Sequence, residues 1–229
     1  MLNFIENNYF MLLYAVALVL SIMRYRWYYD SVLRNLPIII AYALLGELLG
    51  FLVSEVEGFQ IVYKEGFSNY NSLVFNIFDI VFYLYFLYVF WKTFRKPIHK
   101  KFAYYGAALF ILASLIDPFF HDPILYPQYF AIAVGSTALV GSALFYLGEL
   151  KSEKGKIPAQ RNLMFWICVG IIGFHTLYPI IMMVGLLNTE LYMKLNLRYL
   201  LHIAITVMYG CFALGFLRMQ GRLVNILGK

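Results

Sequence analysis

The sequence predicts an all-α integral membrane protein: one domain, a bundle of seven transmembrane helices with the N-terminus outside and the C-terminus in the cytoplasm. Of 229 residues, 62% are hydrophobic and only 13% charged, about half the charged share of a soluble domain. The apolar residues gather into seven stretches, and the basic residues alternate between the two sides of those stretches. A soluble fold of this length has too little interior to hide so much apolar surface.

A helix of about 18 to 25 apolar residues spans a hydrocarbon core roughly 30 Å thick. The first stretch, 9–23, has no basic segment before it and no small-residue cleavage site after it, so it reads as a retained helix rather than a signal peptide. The second and third cover 36–56 and 72–91. The fourth, 102–119, runs into Asp117-Pro118, His121 and Pro123, the composition of a helix end and turn. The fifth covers 128–147. The sixth, 163–187, contains Pro179, which kinks a helix or frees a carbonyl for a partner. The seventh covers 197–217, and the short connections leave no room for a soluble domain.

Orientation follows from the basic residues, which concentrate on the cytoplasmic side of membrane proteins. The first, third and fifth connections and the C-terminal tail hold Arg24, Arg26, Arg34, Lys92, Arg95, Lys96, Lys100, Lys101, Lys151, Lys154, Lys156, Arg161, Arg218, Arg222 and Lys229. The other side has only Lys64, Lys194 and Arg198, beside Glu55, Glu57, Glu65, Asp122 and Glu190. This pattern explains the net charge of +6 without a nucleic-acid partner. It predicts a plasma (inner) membrane protein whose first partner is the bilayer. The same loops can also dock acidic headgroups or a cytoplasmic or membrane protein, and a homo-oligomer stays open.

The chain resembles itself weakly at a shift of about 126 to 127 residues, the scale of an internal repeat. Arg34-Asn35-Leu36 with Gly46 matches Arg161-Asn162-Leu163 with Gly173. Asn76-Ile77, Val81, Tyr83, Phe86, Phe90 and Lys92 match His202-Ile203, Val207, Tyr209, Phe212, Phe216 and Arg218. Spans one to three and five to seven run in the same sense, so the layout is a parallel 3+1+3 repeat with the fourth span as linker.

An ionisable group inside a membrane helix is costly unless paired or wetted, and so marks a functional interior. Glu47, Asp79 and His175 fall near mid-depth, and His202 falls toward the outside. Asn76, Asp79 and Tyr83 are three and four residues apart and share a helix face, as do His175 with Tyr178 and His202 with Thr206. If these faces converge, Glu47, Asn76, Asp79, Tyr83, His175, Tyr178, His202 and Thr206 line a polar pocket for a small ligand or solute. The competing reading is that the groups pair only to hold the helices together.

Nothing points to catalysis. The four His lack His-x-x-x-His or Glu-x-x-His spacing on any one helix, which argues against a zinc site. No Ser-His-Asp or Cys-His arrangement can be argued, and Cys168 and Cys211 both lie in apolar stretches. The expectation is a protein that is not an enzyme and carries no metal.

Residues 178–185, with Tyr178-Pro179, resemble the Tyr-Pro-containing sixth helix of the microbial rhodopsins, although His175 and Met182 stand at its flanking Trp positions. Residues 202–210 resemble the seventh helix of that family, with His202 where its Asp stands and Thr206 where its retinal-binding Lys stands. Asp79 lies at about the separation from Tyr178 expected of the third-helix counterion. The resemblance implies an opsin-like bundle with a pocket between the third, sixth and seventh helices. It also implies no covalent retinal, because a Schiff base needs an amine and no lysine falls inside the seven stretches. The expected role is a sensor or signalling module. A small-solute transporter of 3+1+3 build and a scaffold subunit of a membrane complex are the alternatives.

Overall fold

The computed structural model describes residues 9–56, 58–59, 61, 71–152 and 159–219. Glu57, Lys64, Glu65, Lys154, Lys156, Arg222 and Lys229 lie outside the described residues, as does the side chain of Glu55. Every regular element among the described residues is helical. The long ones are α1 (Tyr9–Met23), α2 (Leu36–Glu55), α3 (Ser72–Thr93), α4 (Pro97–Ile116), α5 (Tyr129–Ser152), α6 (Leu163–Leu187) and α7 (Leu197–Arg218). Six helices are long and apolar enough to cross a membrane. α1 is also apolar but has 15 residues, a rise of about 22 Å.

Local chemistry explains the boundaries. Pro37 opens α2 and Pro97 opens α4; proline suits a first helical turn, where its missing N–H would have no partner. Asn162 caps α6, its side-chain oxygen accepting from the Met164 N–H at 2.9 Å. Beyond α6 a six-residue helix, Thr189–Lys194, begins at the Asn188 cap, and Asn196 (φ 48°) turns the chain into α7 through a left-handed conformation that asparagine tolerates. At the other end of α1, Tyr28 folds back and donates its hydroxyl to the Ser21 carbonyl at 2.7 Å.

Two helices extend beyond the expected stretches, for one shared reason. α4 starts at Pro97 rather than near 102, and α5 continues to Ser152 rather than 147. Glu149 sits in that extra turn of α5 and accepts from the N–H groups of Arg95 and Lys96 at 3.0 and 3.2 Å, with His99 Nδ1 2.6 Å away. A carboxylate at the positive end of a helix satisfies donors that the helix itself leaves open. Glu149→Ala is expected to cost about 2 kcal/mol, seen as a lower thermal unfolding midpoint. Glu149→Gln keeps an acceptor oxygen and is expected to cost less.

The helices form a closed ring in chain order. Each packs on the next and α7 returns to α1, while α3 also touches α5 directly, past α4. The core is aromatic: Tyr83, Phe86 and Phe90 of α3 and Tyr209, Phe212 and Phe216 of α7 are almost wholly buried, and Phe86 meets Phe212 with ring centroids 6.1 Å apart. Leu12, Ile38 and Leu115 are among many apolar side chains facing outward, the surface a helix presents to lipid rather than to water.

Candidate functional site

The polar side chains inside the ring occupy one level. Counted at about 1.5 Å per residue, Ser136, Asp79, Glu47, Tyr178, Thr206, Tyr83 and His175 all lie roughly 10 to 18 Å from the helix ends opposite the basic loops. Every long helix except α4 supplies a group, and tyrosine hydroxyls make the bonds between helices.

Three hydrogen-bonded groups result. Tyr14 of α1 donates its hydroxyl to Glu47 Oε1 of α2 at 3.0 Å. Tyr178 of α6 donates to Asp79 Oδ2 of α3, also at 3.0 Å. The Tyr83 hydroxyl of α3 lies 2.7 Å from Ser136 Oγ of α5, and both sit 3.3 Å from His175 Nδ1 of α6. Gly135 allows this third group: a Cβ there would meet the Tyr83 ring at 2.8 Å, so only glycine lets α5 come this close.

The groups adjoin one another. Glu47 and Asp79 lie within electrostatic reach of each other, and Tyr178 and Tyr209 lie within reach of Glu47. Tyr14 and Tyr209 face each other with centroids 3.9 Å apart, and Phe174 stacks on Tyr178 at 4.9 Å. Both carboxyls therefore sit among aromatic rings, and neither has an ion-pair partner among the described residues. His175 is 2% exposed, packed by Phe82, Tyr83 and Phe174. Its Nε2 has no hydrogen-bond partner, and neither has Thr206 Oγ1. Unmet polar atoms in an apolar interior cost free energy, so they are places where a bound polar molecule would gain most.

The array brings together Glu47, Asp79, Tyr83, His175 and Tyr178. Two other candidates have different surroundings. Asn76 is clasped by the loop before α5: its amide donates to the carbonyls of Pro123 and Tyr126 at 2.7 and 3.0 Å, and its oxygen accepts from Gln128 N–H at 3.1 Å. His202 stacks on Phe10 of α1 at 4.5 Å, and no hydrogen bond joins it to the carboxyls. Thr206, one turn below it, keeps its hydroxyl buried without a hydrogen-bond partner. Asp117, read from sequence as a helix end, accepts from the Ala131 N–H at 3.0 Å and so ties α4 to α5.

Tyr14, Ser136 and Tyr209 were not among the sequence candidates. One signal pointed to Tyr209, since the repeat places it opposite Tyr83. Tyr14 and Ser136 carried none, because a lone tyrosine or serine in an aromatic-rich membrane helix is ordinary. Among the described residues no three His, Cys, Asp or Glu side chains gather as metal ligands would. No protein family matches the chain, and no curated protein or solved structure matches it either.

Proposed function

We propose that this chain is a seven-helix membrane protein of rhodopsin-like build, not an enzyme, that works as a sensor or signalling module through its interior polar array. One observation carries the reading. Single bonds at one depth link α1 to α2, α3 to α6 and α3 to α5, so a ligand or proton arriving there changes several helix contacts at once. A signal can cross a membrane in this way if the bundle has two arrangements that the ligand binds unequally. α1 counts as the seventh span because it closes the ring between α2 and α7. The alternation of basic loops supports an outside N-terminus and a cytoplasmic surface open to a partner.

The carboxyls also indicate what the array accepts. With two acids and no lysine or arginine beside them, it disfavours anions and suits a small cationic or hydrogen-bonding molecule. Asp79→Asn and Glu47→Gln keep a tyrosine acceptor, so each is expected to change stability by less than about 1 kcal/mol. Either is expected to abolish the response of a partner to stimulus in reconstituted membranes. A full response from the double variant would refute the sensor reading.

A transporter is the second reading, and helix packing favours it. α1 on α2 corresponds to α5 on α6, α2 on α3 to α6 on α7, and α7 on α1 to α3 on α5. Phe86 and Phe212, equivalent in the repeat, meet at the centre, as expected for a parallel two-fold arrangement. Solute flux into liposomes that Asp79→Asn stops would favour transport. Neither flux nor response would leave the scaffold role.

A further inference from the structure

We propose that the cleft where α6 begins and α7 ends is a binding site for the phosphate headgroup of an anionic phospholipid. The three tryptophans of the chain all lie at the basic end of the bundle: Trp27 just after α1, Trp91 near the end of α3 and Trp166 in the first turn of α6. Each has a cation over its ring. Arg24 and Arg26 lie 5.9 and 5.8 Å from Trp27, Lys92 lies 4.6 Å from Trp91, and Arg218 lies 5.4 Å from Trp166. Indole rings settle at the level of lipid headgroups, so this belt puts the accompanying cations at that level too.

At one point the belt opens into a cavity of about 360 Å³ lined by Gln160, Arg161, Leu217 and Arg218. Its wall is held by Trp166, whose indole N–H donates to the Gln160 carbonyl at 2.8 Å. Among the described residues the lining holds two arginines and no acidic residue, and guanidinium forks match phosphate oxygens in bidentate fashion. The N-terminus of α6 adds its positive dipole end on the same side. Leu217 is 54% exposed beside Arg218, which supplies an apolar surface for an acyl chain next to the phosphate. A soluble phosphate compound has no use for that surface, and for this reason the lipid is the occupant the cleft fits.

The test uses the full chain purified in a neutral detergent, with phosphatidylglycerol or phosphatidylcholine added. Native mass spectrometry counts bound lipid, and thermal unfolding reads stabilisation. Phosphatidylglycerol is expected to remain bound and to raise the midpoint where phosphatidylcholine does not. Arg161→Gln with Arg218→Gln is expected to weaken phosphatidylglycerol binding roughly thirty-fold, at about tenfold or less per charge removed at a membrane surface. The same double variant should unfold with the wild-type midpoint in phosphatidylcholine. Arg24→Gln with Arg26→Gln, at residues that are not among those lining the cleft, is expected to retain binding. Equal loss in both double variants would overturn the proposal in favour of general surface charge. Wild-type binding by the cleft variant would overturn it outright, as would competition by inorganic phosphate that matches the lipid's stabilisation.

Discussion

Gly170→Leu is expected to be the most damaging single change in the bundle, costing about 3 kcal/mol or more. A Cβ at Gly170 would meet the Met208 carbonyl oxygen at 2.9 Å, Phe212 at 3.2 Å and Cys211 at 3.3 Å. The first of these is backbone, so the clash cannot be relieved by turning a side chain. α6 and α7 would have to separate, and Tyr178 and His175 would leave their partners on α3 and α5. The measurement is the fraction of folded protein after detergent extraction, with the thermal midpoint. Gly210→Ala is the control, since a Cβ there has nothing within 4 Å and alanine favours a helix over glycine. If Gly170→Leu unfolds with the wild-type midpoint, α6 and α7 do not pack as described.

Asn76→Leu is expected to follow, at about 2 to 4 kcal/mol, because three hydrogen bonds of a residue that is 4% exposed vanish together. The carbonyls of Pro123 and Tyr126 and the N–H of Gln128 would all lose their partner where the loop enters α5. The change is expected to lower the midpoint while leaving any ligand affinity of the remaining folded protein intact. Loss of affinity at an unchanged midpoint would return Asn76 to the ligand site. Asp79→Asn should show the reverse pattern, so the two variants separate structure from function on one helix.

The contrast between Asn76 and Asp79 shows how far the sequence reaches. Their spacing placed them with Tyr83 on one face of α3, because helical periodicity sets the angle at which a side chain leaves the axis. It says nothing about which neighbour stands opposite. Asn76 lies one turn nearer the helix end, where the loop from α4 folds in, and there it serves that loop. His202 and Thr206 diverge in the same way on α7, one stacking on α1 and the other burying a hydroxyl without a hydrogen-bond partner.

By itself, the amino-acid sequence determined the all-helical character, the apolar stretches of which six form helices long enough to cross a membrane, and the concentration of basic residues at alternate connections. These depend on composition along a single segment and on the length of helix a bilayer requires. Only the tertiary structure decided that Tyr14 of α1 meets Glu47 of α2 and Tyr178 of α6 meets Asp79 of α3, that Ser136 joins Tyr83 and His175, and that Glu149 caps a neighbouring helix. Such pairings depend on the rotation and depth of helices far apart in the chain, and those are set by how the aromatic core and close-approach glycines interlock.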